Sequence, residues 1–204
     1  MKYLLIALLW TAYCTLHSYL ISIRFTNLMQ RILKKYFAFY RLFYVLLSLI
    51  LLIPLINYTL QLTGNKAIVN DGIALEILRY ILSFGSMILF FRAFFFDYDV
   101  LSFFGIRQIL SFGKPKKISH PEDFKRSGLL GIIRHPMYLA LIIYLWSQTR
   151  SLTDIVVSSV LTIYILVGTR LEEKKLVLEF GESYINYQKE VPMLIPFTKI
   201  KARK

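Results

Sequence analysis

Cysteine is almost missing from this 204-residue chain, which has one, Cys14. A lone thiol inside an apolar run supports neither a disulfide framework nor a thiolate metal site, so no metal centre is expected. Acidic residues are the next shortage. Twelve Asp and Glu stand against 25 Lys and Arg, a net charge of +13, and no acidic side chain precedes Asp71. The cations fall in blocks between apolar runs and do not line one face, which suits phospholipid headgroups and argues against a nucleic-acid partner. Internal repeats and low-complexity stretches are also lacking, which removes the solenoid and repeated-transporter readings. There is no GxGxxG element either, a weak point against dinucleotide binding.

What the chain has is apolar length. A hydrophobic share of 56% and a mean hydropathy of +0.55 exceed what a soluble domain carries, so apolar side chains must face lipid as well as a core. The fold class read from this is all-α, a single polytopic membrane domain over 1–204. About five spans are expected, over 3–22, 42–60, 74–95, 131–147 and 152–168. The first run resembles a signal peptide but exceeds the usual apolar core of about 7–15 residues and has no small-x-small cleavage site, so it reads as a retained span. His17 and Ser18 near its end read as an interhelical hydrogen-bonding pair or, less simply, as part of a site. Pro54 is expected to kink the second span.

The loops set an orientation. Arg24, Arg31, Lys34, Lys35 and Arg41 follow the first span; Lys114, Lys116, Lys117, Lys125 and Arg126 precede the fourth. The segment around 57–72 carries one Lys and one Asp among turn formers. By the positive-inside rule the amino terminus is outside and the carboxyl tail cytoplasmic. Residues 97–138 and 170–197 then share the cytoplasmic side, with an interfacial helix expected near 97–108.

Two stretches carry the chemistry. Arg134-His135-Pro136-Met137-Tyr138 places a guanidinium, an imidazole and a phenol at the mouth of an apolar segment, and Pro136 biases His135 away from helical dihedrals. The bland alternative is a snorkelling Arg, an interfacial Tyr and a helix-starting Pro. The tail from Arg170 to Phe197 holds Glu172 and Glu173 just beyond a span, Gly181 as a breaker, and Tyr184 with Tyr187 at an i, i+3 spacing. Taken alone, the glutamates read as a solvated face and the tyrosines as packing.

In order, RHPMY, a pair of spans, R-x-EE, FG-x-x-Y-x-x-Y and VP-x-x-IP resemble the isoprenylcysteine carboxyl methyltransferase superfamily of integral membrane enzymes. LHS in the first span, YRLFY at Tyr40–Tyr44 and FFGIRQ at Phe103–Gln108 look like its bacterial methanethiol S-methyltransferase branch. The resemblance implies S-adenosyl-L-methionine as cofactor and a bacterial inner-membrane location. It also implies a small or lipophilic thiol or carboxylate as acceptor, with the lipid bilayer as the other partner. It places the cofactor against Gln108, Ser127, Gly128, Leu130, Arg134, His135, Pro136, Met137, Tyr138 and Tyr187, and the reaction near His135, Arg170, Glu172 and Glu173. Leu130 stands where relatives place Tyr, and Ala140 where Gly is frequent.

Methyl transfer from a sulfonium is an in-line displacement needing two aligned atoms in a dry pocket. Aromatic faces such as Tyr138 and Tyr187 suit the cation, Arg134 or Arg170 suits the methionyl carboxylate, and His135 suits a thiol proton. Of the paired glutamates, Glu172 is expected to face the pocket and Glu173 solvent. Two other readings remain open at this point. One is a membrane NADPH-dependent reductase of the sterol-reductase type, the other a non-catalytic membrane scaffold.

Overall fold

A computed structural model describes residues 1–63, 72–112 and 128–198. Among them all regular structure is helical: α1 Lys2–Ile21, α2 Ile23–Leu33, a 3-10 turn Lys34–Phe39, α3 Tyr40–Thr63, α4 Ile73–Phe96, α5 Val100–Phe103, α6 Ile106–Leu110, a 3-10 turn Gly128–Gly131, α7 Pro136–Ser147, α8 Leu152–Phe180 and α9 Glu182–Glu190. Four runs are long and apolar enough to cross a membrane: Lys2–Ile21, Ile23–Leu62, Ile73–Phe96 and Leu152–Phe180. The fold is that of a polytopic helical membrane protein.

The expected span over 131–147 is helical only over the 12 residues of α7. At 1.5 Å per residue that is about 18 Å, against about 30 Å of bilayer core. The cause is local. Pro136 occupies the first helical turn, and His135 before it sits at φ −128°, ψ 64°, outside the helical region that a following proline disfavours. Between α1 and α3 the basic stretch expected as a loop is helical. Ser22 leaves the helix at ψ 147° and caps α2, its hydroxyl accepting from Phe25 N at 3.3 Å. Lys34, at φ 49°, ends α2. The expected interfacial helix becomes two short ones, broken at Gly105, whose φ of +81° and 2.9 Å Cβ approach to Arg41 Cβ exclude a larger residue.

The chain divides into two compact units. The first contains α1, α2, α3, α5, α6 and α8 up to Tyr164. Its apolar helices are joined by polar rungs: Trp10 Nε1 donates to Thr59 Oγ1 (3.0 Å), Tyr13 Oη to the Ser48 carbonyl (3.3 Å) and Tyr40 Oη to the Leu20 carbonyl (2.6 Å). His17 lies between Tyr164 Oη (2.8 Å from Nδ1) and Tyr44 Oη (2.6 Å from Nε2). Both ring nitrogens thus face a phenol, as in the interhelical hydrogen-bonding reading. The second unit contains α4, the turn Gly128–Gly131, α7, α8 from Ile165, α9 and the tail. There α4 packs along α7, Ser83 Oγ meeting Ser147 Oγ at 2.8 Å. Tyr184, Tyr187 and Val191 form a buried cluster under Leu176, Val177 and Phe180.

Candidate active site

The site is assembled in the second unit from three pieces of chain that backbone chemistry brings to one place. Arg134 and His135 stand just before α7 with their N–H groups free of helical bonding. They donate to the carbonyls of Pro192 (2.9 Å) and Met193 (3.1 Å). The tail can accept this pairing because Pro192 and Pro196 keep it out of a helix. The VPMLIP segment therefore folds back, as its prolines suggest, and docks on the RHP segment.

Arg134 supplies the side-chain half of that clasp. Its Nε donates to Glu173 Oε1 at 2.6 Å, and its Nη1 donates to the carbonyls of Gln188 (3.0 Å) and Val191. The last carbonyls of α9 have no intrahelical partner, and a guanidinium satisfies them while opposing the negative end of the helix dipole. Glu173 also accepts from His135 Nε2 (3.2 Å) and Gln188 Nε2 (3.0 Å). Side-chain exposures of 8% for Arg134 and 11% for Glu173 make this a buried, multiply hydrogen-bonded pair. The apolar run of α8 ends at Gly168, so Glu173 lies beyond it. Burial pushes the Glu173 carboxyl up, but the hydrogen bonds from His135 and Arg134 and their charges outweigh it and hold it at about 2. The carboxylate is ionised throughout the physiological range.

Glu172 behaves differently. Its Oε2 accepts from Tyr138 Oη at 2.9 Å, and its side chain is 39% exposed. The His135 ring stacks on Tyr138 with centroids 5.5 Å apart and planes at 15°. His135 Nδ1 lies 3.9 Å from Glu172 Oε2, beyond hydrogen-bond distance. An ionised carboxylate accepts only, so the 3.2 Å contact to Glu173 assigns a proton to Nε2. Nδ1 is left facing a half-exposed carboxylate across a gap.

The expected division of the glutamates into a pocket residue and a solvent residue is therefore corrected. Both engage the RHPMY segment, Glu173 from beneath Arg134 and His135, and Glu172 at Tyr138. That segment turns from extended chain into helix and so presents donors over a wider arc than one helix face does.

The other predicted residues sort by place. Pro136 and Met137 are buried on α7. Leu130 is buried, and its carbonyl accepts from Tyr187 Oη at 2.6 Å. Tyr187 is fully buried, so its hydroxyl holds the turn before RHP. Gly128 adopts φ +67°, and a Cβ there would overlap Asp97 Oδ1. Ser127 lies outside the described residues. Gln108 is on α6 in the first unit, with its Oε1 buried and lacking a hydrogen-bond partner among the described residues. Arg170 is exposed and forms no hydrogen bond or ion pair among the described residues. Arg134, by contrast, has its Nε and Nη1 committed inside the cluster.

Comparison with known proteins gives relatives of one kind. This chain is related to methanethiol S-methyltransferases. It is 42% identical over 95 residues to the enzyme of Crocosphaera subtropica, covering 46% of this chain and 37% of the relative. The enzyme of Pseudomonas deceptionensis is 45% identical over 96 residues, 46% of this chain and 36% of the relative. Methanethiol S-methyltransferase 2 of Bradyrhizobium diazoefficiens is 32% identical over 155 residues, 75% and 58% of the two chains. The chain thus spans only about a third to three-fifths of these relatives' length. No family model matches, and no solved structure does.

Sequence reasoning passed over three residues around the same cluster. Gln188 follows Tyr187 and bonds Glu173. Asp97, whose side chain is 3% exposed, lies 3.5 Å from Arg92 and against Gly128. Tyr98 has its phenol pushed up by burial and then by the charge of Glu172, Tyr187 and Asp97, so it remains a protonated donor. One signal was available, since Asp97 is an acidic residue directly after a 24-residue apolar helix. Nothing in the sequence pointed to Gln188.

Proposed function

We propose that the chain is an S-adenosylmethionine-dependent methyltransferase that methylates a small thiol, with its site at the cytoplasmic face of the membrane. The observation that supports this most directly is the half-exposed Glu172 carboxylate beside the stacked His135 and Tyr138 rings. A carboxylate and aromatic faces are the donor set a sulfonium needs. The residues fit the group: Glu172 and Tyr138 would hold its cationic centre, and Arg170, exposed and without an ion pair among the described residues, its carboxylate. When bound, that cofactor supplies an electrophilic methyl group. The names of the relatives favour a thiol over the prenylated carboxylate that the wider resemblance allows.

The chain's own contribution is orientation and proton handling. Glu173 anchors His135 through Nε2–H, which leaves Nδ1 as the basic nitrogen. The thiol S–H proton passes to Nδ1, and the resulting imidazolium is stabilised by the two carboxylates on either side. Arg134 takes no part in binding, since it holds Glu173 and the tail in place. Lys and Arg counts in the loops support the cytoplasmic placement.

The test uses membranes containing the full chain, methyl-labelled S-adenosylmethionine and methanethiol, with labelled dimethyl sulfide measured in the headspace. Label in the thioether, lost in His135→Ala, is expected. Absence of labelled thioether with methanethiol and with longer alkanethiols, together with saturable NADPH binding, would replace this reading with the reductase. Binding of neither cofactor would leave the scaffold.

A further inference from the structure

Helix α2 is amphipathic, and its apolar face is only partly covered by the described residues: Phe25, Met29 and Leu33 are half-buried, while Leu28 and Ile32 stand exposed. At 100° per residue, Phe25, Leu28, Met29, Ile32 and Leu33 fall within an arc of about 140°, with Arg24, Asn27, Gln30 and Arg31 opposite. None of its residues is buried. Leu28 is 48% exposed and Ile32 61%, while Arg24, Arg31, Lys34 and Lys35 are exposed as well. Phe25 alone of the apolar set makes ring contacts with the rest of its unit, to Tyr19 and Tyr40.

The position of α2 along the chain fixes the level at which it must lie. One residue, Ser22, separates it from α1, and six separate it from α3. α1 and α3 are themselves long enough to cross, with 20 and 24 residues. The apolar run Ile23–Leu62 also takes in α2, but the break at Lys34 sets α2 off from α3, so α2 is tethered at both ends where those helices leave the apolar layer. A partner at that level has to offer apolar and anionic material side by side. The charge pattern names its sign, because Arg24, Arg31, Lys34, Lys35 and Arg41 stand in a stretch with no acidic residue before Asp71.

We propose that α2 lies in the plane of the membrane surface and binds anionic phospholipid. Its Leu28–Ile32 face enters the acyl region, and Arg24, Arg31, Lys34 and Lys35 engage headgroup phosphates. The break at Lys34, with its positive φ, turns the chain out of the surface plane towards α3 and leaves Lys34 and Lys35 at the headgroup level. Each cation near an anionic surface contributes about a fivefold factor in partitioning, and an amphipathic helix of this kind lies at the interface instead of crossing it. The inference is independent of the reaction proposed above.

Equilibrium binding of dioctanoyl phosphatidylglycerol and dioctanoyl phosphatidylcholine to the detergent-purified full chain tests it. The anionic lipid should bind at least tenfold more tightly at low salt, and the preference should shrink as salt rises. R24Q/R31Q/K34Q/K35Q should bring the two lipids within twofold, with helicity unchanged by circular dichroism. R24K/R31K keeps charge and should keep the preference, so a folding defect in the quadruple variant does not decide the matter. K174Q/K175Q/K189Q removes cations elsewhere and should keep it too. Equal binding of the two lipids by the wild type, or a preference that survives the quadruple change, overturns the proposal. So does displacement of the lipid by inorganic phosphate, which would make α2 a free-anion site.

Discussion

Replacing Glu173 by Gln removes one charge from a buried cluster with little change of shape, and the structure sets the size of the effect. At 2.6 Å and an effective dielectric of about 20, the Arg134–Glu173 attraction is worth about 6 kcal/mol before desolvation. Breaking such a buried pair from one side costs about 3–5 kcal/mol, because the remaining charge stays buried. The Gln amide also turns N–H groups towards Arg134, His135 or Gln188, all of which donate to the carboxylate now. For a chain of this size that corresponds to a fall in Tm of about 6–20 °C. Glu172→Gln is the matched control, since it removes a neighbouring carboxylate that is 39% exposed and accepts from Tyr138. Its cost in stability is about 1 kcal/mol after allowing for solvent, yet turnover should fall at least tenfold, about 1.4 kcal/mol. Tryptophan-fluorescence melting of the purified variants and methyl transfer in membranes give the two readouts. The reasoning is refuted if Glu173→Gln melts within 2–3 °C of wild type, or if the two variants lose stability equally.

The same pair has a pH signature: a carboxyl held down at about 2, from an ordinary 4.5, contributes stability that is full above about pH 5 and is lost as pH falls towards 2. The Tm gap between wild type and Glu173→Gln should therefore be constant from pH 7 to 5 and narrow below about 4.5. His135→Ala should abolish methyl transfer while the protein still purifies as a monodisperse species, and transfer within twofold of wild type would sink the proton-handling role. Gly128→Ala places a Cβ at φ +67° against Asp97 and should cost about 1–3 kcal/mol, read as a lowered Tm. Tyr187→Phe deprives the Leu130 carbonyl of its donor and should lower stability by about 1–3 kcal/mol without changing KM for the methyl donor; a raised KM would return Tyr187 to the cofactor site. In a Cys14→Ser background, a cysteine at Lys34 should react with an impermeant maleimide only from the cytoplasm, and labelling from outside would overturn the orientation.

Composition and periodicity were enough for the fold class, because apolar length is a property of the chain alone. A run of about 20 apolar residues has few structural options, and backbone bonding in lipid makes it helical wherever it occurs. Local sterics were legible for the same reason. Pro136 acts on His135 through one peptide bond, and Pro192 and Pro196 act on the tail in the same way, so the non-helical histidine and the returning tail followed from the sequence. The RHPMY and R-x-EE stretches could be named as chemistry-bearing from residue type and order.

Which groups meet was decided by tertiary structure. Glu172 and Glu173 are chemically identical neighbours, and only the path of α7 and the tail around α8 makes one a buried counter-ion and the other a half-exposed carboxylate. Arg134 and Arg170 were equal candidates until the carbonyls of Gln188 and Val191 came within reach of one of them. Tyr187 looked like an aromatic wall and is a buried rung under Leu130, a difference set by which way α9 faces. Asp97 and Gln188 carry no motif, and their roles arise from contacts across 31 and 15 residues of chain. Electrostatic consequences depend on distance and burial, which residue order does not encode.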